Sequence, residues 1–260
     1  MTMKTTELYE KLNRDIPASL SAEWDNDGLM VLPTPEHEAK KILFVLDVTE
    51  AVIDQAMTVG CDLIISHHPF LFRPLPRFCC TDEKTRLVLK LVASGIAVFS
   101  FHTRLDAAEG GVNDALAALL ALQNVEPFIC EDVPLGRVGE LPAPMAFDDF
   151  LAFAAKKLRT PQLSYICEGA LVRRVALIGG DGKDYIREAQ ETGADVYLTG
   201  QASYNSILDA KGGGMSIIEA GHYHTEAPVL KLLAERVRAL GFEGEAVICD
   251  DACEVLTFKN

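Results

Sequence analysis

Two textures alternate along this chain. Continuous apolar runs occur at ILFVLDV (42–48), DLIIS (62–66), IAVFSF (96–101), RRVALIGG (173–180), DVYLTG (195–200) and MSIIEAG (215–221). Such runs predict strands covered on both faces. Between them lie segments that read as helices, at 49–60, 82–95, 110–123, 147–159, 183–192, 202–211 and 225–241. Leu8, Leu12 and Ile16 recur at helical spacing near the start. Thr49 is placed to cap the helix that follows it, and Gly60 to stop it. EAVICD (245–250) and EVLTF (254–258) are expected to close the chain as strands. Strands alternating with helices predict an α/β architecture. VEPFICEDVPLGRVGELPAP (125–144) breaks the rhythm with four prolines and two glycines. It reads as a crossover between a first lobe, 1–124, and an interlinked second lobe, 125–260.

The halves echo one another. TVGCDLIISHH (58–68) aligns with ETGADVYLTGQ (191–201), and HTRLD (102–106) with HYHTE (222–226). The last pair are each a histidine, three residues and a carboxylate, each after a predicted strand. A diverged duplication would set two related lobes with their strand ends facing; chance likeness of two α/β units is the alternative.

The chemistry gathers at those strand ends. Of six histidines, His37 lies in a polar segment, whereas His67, His68, His102, His222 and His224 follow predicted strands. Open α/β sheets bind ligands at the carboxyl ends of their strands. Imidazole with carboxylate suits zinc, iron, manganese or cobalt, and no cysteine joins the motifs. Adjacent strand residues face opposite ways, so His67 and His68 do not naturally grip one ion. Past the strand end, with Pro69 holding the chain out of helix, they can diverge towards two ions. Asp106 and Glu226 are the candidate bridging carboxylates, and His222 lies one helical turn before Glu226. His102 is a candidate partner orienting a ligand; for His102 and His224 an ordinary hydrogen-bonding role is the alternative.

Composition narrows the function. The chain has 260 residues, is 49% hydrophobic and carries a formal net charge of −14. An acidic surface without basic runs argues against nucleic-acid binding. No apolar run approaches a membrane span, and the polar N-terminus lacks a signal-peptide core. Seven cysteines, none spaced C-x-x-C, read as reduced thiols of a cytoplasmic protein. GGDGK (179–183) sits in a strand-to-helix turn that can present amides to a phosphate, with a plain tight turn as the simpler reading. EWDNDGL (23–29) reads as a turn anchored by a buried tryptophan.

WDNDGL, SHHPF, HTRLDAAEGGVNDALA, the TGQ segment and AGHYHTE occur in one order from Trp24 to Glu226. In this combination the chain resembles the GTP cyclohydrolase type 2 homologue family, also called Nif-three-like or dinuclear metal-binding proteins. The resemblance implies two interlinked α/β lobes with two divalent ions (zinc, iron or manganese) in the cleft between them. It implies ligands at His67, His68, Asp106, His222 and Glu226, and a homohexameric ring. The length matches short members without an inserted middle domain. Arg104, Gln201 and His224 depart from the usual pattern. The named activity is conversion of GTP to dihydroneopterin triphosphate and formate, with His224 or His102 moving the proton and Arg104 near the phosphates. Hydrolysis of another nucleotide or phosphoester, or a non-enzymatic metal-handling or regulatory ring, are the alternatives.

Overall fold

The computed structural model describes residues 3–249. The expected strand at 254–258 lies outside them. The apolar runs form two mixed sheets. The first has the order Glu245–Ile248, Lys41–Val45, Leu63–Ser66, Ala97–Ser100, Gly28–Val31, parallel except for the last strand. The second has the order Gln123–Cys130, Val133–Ala146, Leu171–Asp181, Val196–Gln201, Ser216–Glu219, Ser164–Ile166. Its three strands from Leu171 to Glu219 are mutually parallel, and the others antiparallel to their neighbours.

Both faces of each sheet are covered, which is why the strands read as unbroken apolar runs. Alternate residues supply the two faces. Ile42 and Phe44 pack with Leu8, Leu12 and Ile16 of the helix Thr5–Asp15, while Leu43 and Val45 pack on the other side with Val52, Ile53 and Leu91. In the second sheet, Val175 and Leu177 meet Leu116 and Phe150, while Ala176 and Ile178 meet Ile186 and Ala210. Thr49 caps the helix Glu50–Val59 by accepting from Val52 N, and Gly60 ends it at φ 74°.

The sheets repeat one topology. In each, three successive parallel strands are followed by an antiparallel edge strand that precedes them in sequence: Gly28–Val31 in the first, Ser164–Ile166 in the second. The third parallel strand of each leads into a five-residue helix, Thr103–Ala107 or His222–Glu226. The paired motifs HTRLD and HYHTE thus occupy matching places.

The lobes are threaded together. The 125–260 half returns to the first sheet: helix Val229–Ala239 packs Leu230, Leu233 and Val237 against Leu8 and Phe44, and Glu245–Ile248 pairs with Lys41–Val45. The helix expected over 225–241 is two, because Pro228 has no N–H with which to continue the first.

One segment differs from expectation. Residues 125–144 are not a crossover but most of a hairpin at the sheet edge. Glu131 and Asp132 form its turn at φ 49° and 65°, the paired positive values a two-residue hairpin turn needs. Pro127 sits on the outermost strand, where a missing N–H is tolerated. Pro142 and Pro144 fall where the register jumps, between the pairs Met145–Val172 and Glu140–Arg174. Pro127 is tolerated at the edge and Pro142 and Pro144 at the register break, so composition alone resembled a linker.

Leu233→Ala, at a core position contributed by the C-terminal half to the first lobe, should cost about 2–5 kcal/mol. A denaturant midpoint unchanged from wild type would show that this helix is not part of the first core.

Candidate metal centre

The carboxyl ends of the parallel strands from both sheets converge. His67 and His68 follow Leu63–Ser66, Asp106 lies on the helix after Ala97–Ser100, and His222 and Glu226 share the helix after Ser216–Glu219. His67 is fully buried and Glu226 nearly so. His67 Nε2 lies 3.5 Å from both Asp106 Oδ1 and Glu226 Oε1. Glu226 Oε2 is 3.0 Å from His68 Nε2 and 3.1 Å from His222 Nε2. Those two imidazole nitrogens are themselves 3.2 Å apart.

Each imidazole is held from behind. His67 Nδ1 donates to the Phe101 carbonyl at 2.9 Å, His68 Nδ1 to Asp47 Oδ1 at 2.9 Å, and His222 Nδ1 to Gln201 Oε1 at 3.0 Å. A nitrogen that donates at Nδ1 leaves Nε2 with the lone pair in the neutral ring. All three lone pairs then face the two carboxylates. His67 Nε2, Asp106 Oδ1 and Glu226 Oε2 are buried without a hydrogen-bond partner. Buried polar atoms are ordinarily satisfied; a cation among these would satisfy all three. His67, His68 and Glu226 form a group able to hold a metal ion, their donor atoms within 4.8 Å of one another.

The electrostatics favour positive charge here. Burial opposes the charged form of His68, but the hydrogen bond to Asp47 and the neighbouring carboxylate of Glu226 outweigh it and raise its pKa to about 10. Burial likewise opposes ionisation of Glu226, yet His67 and the neighbouring imidazoles hold it well below the ordinary carboxylate range. Burial pushes Asp106 up to about 7; His67 opposes that shift, and Glu226 adds to it.

Glycine lets the second lobe approach. Gly180 has φ 67°, and a Cβ built on it would lie 2.1 Å from Glu226 Oε1. The GGDGK turn therefore serves the carboxylate and does not offer its amides to a phosphate. Gly179 N donates to Asn113 Oδ1 at 2.7 Å, Gly180 N to Thr225 Oγ1 at 3.0 Å, and Gly182 N to Thr199 Oγ1 at 3.1 Å.

The EWDNDGL motif works otherwise than expected. Trp24 is 56% exposed and anchors nothing; the carboxylates beside it do. Asp25 accepts from His102 Nδ1 at 2.9 Å and from Thr103 Oγ1 at 2.6 Å. Asp27 accepts from His102 N at 3.1 Å and Arg104 Nε at 2.9 Å. Arg104 is 1% exposed, donates also to Asn13 and Ile16, and lies over the Phe101 ring. It is a buried anchor and cannot serve phosphates. His102 stands beside the cluster, its ring centroid 5.4 Å from that of His67 and 5.7 Å from that of His68. His224 is not brought to the donor atoms: its ring meets Tyr223 edge-on at 5.6 Å and packs against Gly221. Asp47 and Asp25 went unread in the sequence. The only local signal was a carboxylate just past a predicted strand or inside an acidic turn.

A cleft of about 310 Å³ opens on the centre, lined by His68, His102, Asp106, His222 and Glu226 together with Trp24, Tyr185, Glu131 and Asp181. No lysine or arginine among the described residues lines it.

Fold and site define a class: two interlinked α/β lobes whose facing strand ends bury a histidine–carboxylate cluster able to hold metal. Residues 3–251 match the family Duf34/NIF3 (NGG1p interacting factor 3), and the chain belongs to it. A Clostridium perfringens protein named GTP cyclohydrolase 1 type 2 homolog is 31% identical, over 98% of this chain and 100% of its own. A Schizosaccharomyces pombe protein named Protein NIF3 homolog is 34% identical over 88% of this chain and 86% of its own. Among solved structures, Staphylococcus aureus hypothetical protein SA1388 superposes with a TM-score of 0.90 at 25% identity, over 99% of each chain. Reduced HcgD from Methanocaldococcus jannaschii gives 0.82 at 30% identity, over 95% of this chain and 98% of that one. No helix among the described residues is long and apolar enough to cross a membrane.

Two outcomes are expected. Gly180→Ala should displace the Glu226 carboxylate and lower metal content, with the fold intact by circular dichroism; metal content equal to wild type would refute the close-approach reading. Asp25 is buried, which opposes its ionisation, but hydrogen bonds from His102 and Thr103 lower its pKa to about 2. A lowered folded-state pKa means its stabilisation, about 2 kcal/mol, is present above pH ~4 and fades as pH falls towards 2. Unfolding free energies of wild type and Asp25→Asn should therefore differ at pH 7 and draw together at pH 2–3.

Proposed function

We propose that this protein is a metal-dependent hydrolase holding two divalent cations, zinc, iron or manganese, between its lobes. The observation that carries this reading is the convergence of His67 Nε2, Asp106 Oδ1 and Glu226 Oε2, buried and unpartnered, on the Nε2 side of His68 and His222. His67, His68, Asp106, His222 and Glu226 would hold the ions. Cations bound there supply Lewis-acid activation of water and of a polar substrate group. The chain's own residues do the rest. Asp47, Gln201 and the Phe101 carbonyl fix the imidazole orientations. Asp25 fixes His102 through Nδ1, leaving its Nε2 to carry a proton at the edge of the cleft. His224 lies away from the donor atoms, so the proton-transfer role falls to His102.

The reaction to test first is conversion of GTP to dihydroneopterin triphosphate and formate, which the family resemblance implies; the Clostridium perfringens relative is named as a GTP cyclohydrolase homolog. Another nucleotide or phosphoester is the alternative substrate. A second reading, a metal-handling ring without catalysis, is favoured by a cleft wall that, among the described residues, presents carboxylates and no lysine or arginine. We place the protein in the cytoplasm as a homohexamer.

Metal analysis of protein purified without added metal should find about two ions per chain. His68→Ala combined with Glu226→Ala should bring this well below one. No metal, and no uptake of zinc, iron or manganese, would sink the centre. Retained metal without formate from GTP would remove the cyclohydrolase assignment and leave the centre standing.

A further inference from the structure

The far side of the cleft carries chemistry that metal binding does not use. Trp24 is 56% exposed and Phe72 44% exposed, large rings left in solvent beside a buried polar centre. Their centroids are 6.2 Å apart at 63°. Both meet the His102 ring edge-on, at 6.1 and 6.4 Å. Trp24 lines the cleft half in solvent, and His102 stands between it and the metal cluster, its ring beside those of Trp24, His67 and His68. The backbone below is fixed, because Asp25 and Asp27, its near neighbours, are tied to residues 102–104. Trp24 is therefore a rigidly mounted, solvent-facing aromatic surface. Such a surface is what a planar ring stacks upon, and it accepts any base because every base has a π-face.

The opposite wall selects by charge. Glu131 and Asp181 line the cleft outside the metal cluster, with Tyr185, also in the lining, donating to Glu131 at 3.2 Å. Lys183 is bound to Asp181 and does not line the cleft. Carboxylates only accept hydrogen bonds, so they suit the N–H edge of an amino-substituted heterocycle and repel phosphate. The volume, about 310 Å³, sits at the lower end for small-molecule pockets.

Resting on the metal-dependent hydrolase reading of the same cleft, we propose that its substrate is an unphosphorylated, amino-substituted planar heterocycle of nucleobase or nucleoside size, stacked on Trp24 with its N–H edge towards Glu131 and Asp181. Triphosphate is then the wrong appendage: among the described lining residues it would meet two carboxylates and no arginine.

Trp24 is the chain's single tryptophan, so its fluorescence reports stacking directly. Metal-loaded protein is titrated with guanosine and with GTP, followed by tryptophan emission and by calorimetry. Guanosine should quench saturably and bind at least ~10-fold more tightly than GTP. Trp24→Leu should weaken guanosine ~10-fold or more, as the loss of one stacking partner does, while metal content stays at the wild-type value. Glu131→Gln should narrow the gap between the two ligands. Guanosine binding unchanged in Trp24→Leu overturns the platform, and GTP binding equal to or tighter than guanosine overturns the selection by charge. Failure of the metal centre shows separately, as protein without bound metal, whatever the fluorescence does.

Discussion

The structure depends on keeping two carboxylates, Asp106 and Glu226, out of water at the junction of two sheets. A buried carboxylate is expensive unless paired. Here the compensation is shared across the molecule. His67 and His68 come from the first sheet, while Glu226 and His222 come from the second half of the chain. Neither lobe holds the full set, so the cluster exists only when the strand ends face each other. The threading of the chain through both sheets, with Glu245–Ile248 returned to the first, holds them there.

Around this cluster the protein arranges polar contacts with one purpose, to fix orientation. Asn113 donates to the Asp106 and Leu135 carbonyls and accepts from Gly179, bridging the lobes just behind the centre. Asp25 and Asp27 hold the 102–104 segment, and the buried Arg104 spans from there to the N-terminal helix through Asn13. Fixed imidazoles bind a cation with less reorganisation than mobile ones. The same rigidity mounts Trp24 in the cleft lining, so centre and cleft wall share one scaffold.

Much of this was written locally. The parallel strands have their own apolar runs, Leu8, Leu12 and Ile16 mark the first helix, and His67, His68, His102, His222 and His224 sit past strand ends. The hairpin from Gln123 to Ala146 was hidden because its turn is Glu131–Asp132, without the Asn-Gly or Asp-Gly that announces one. Pro142 and Pro144 are harmless only because of where the register breaks, and register belongs to the sheet. Arg104 looked available to phosphate until its neighbours were known, and Trp24 looked buried because tryptophan so often is.

The sequence by itself determined which segments become strands and helices, because periodicity and capping are short-range. It also determined which side chains wait at the strand ends. Tertiary structure alone decided which of them meet. Asp47 finds His68 across 21 positions, Gln201 finds His222 across 21, and His222 finds His68 across 154. Those contacts follow from two sheets docking edge to edge of their strand ends, a long-range outcome that no local pattern encodes. His224, two residues from a member of the cluster and inside the same motif, was turned away by nothing more than its position around a single helical turn.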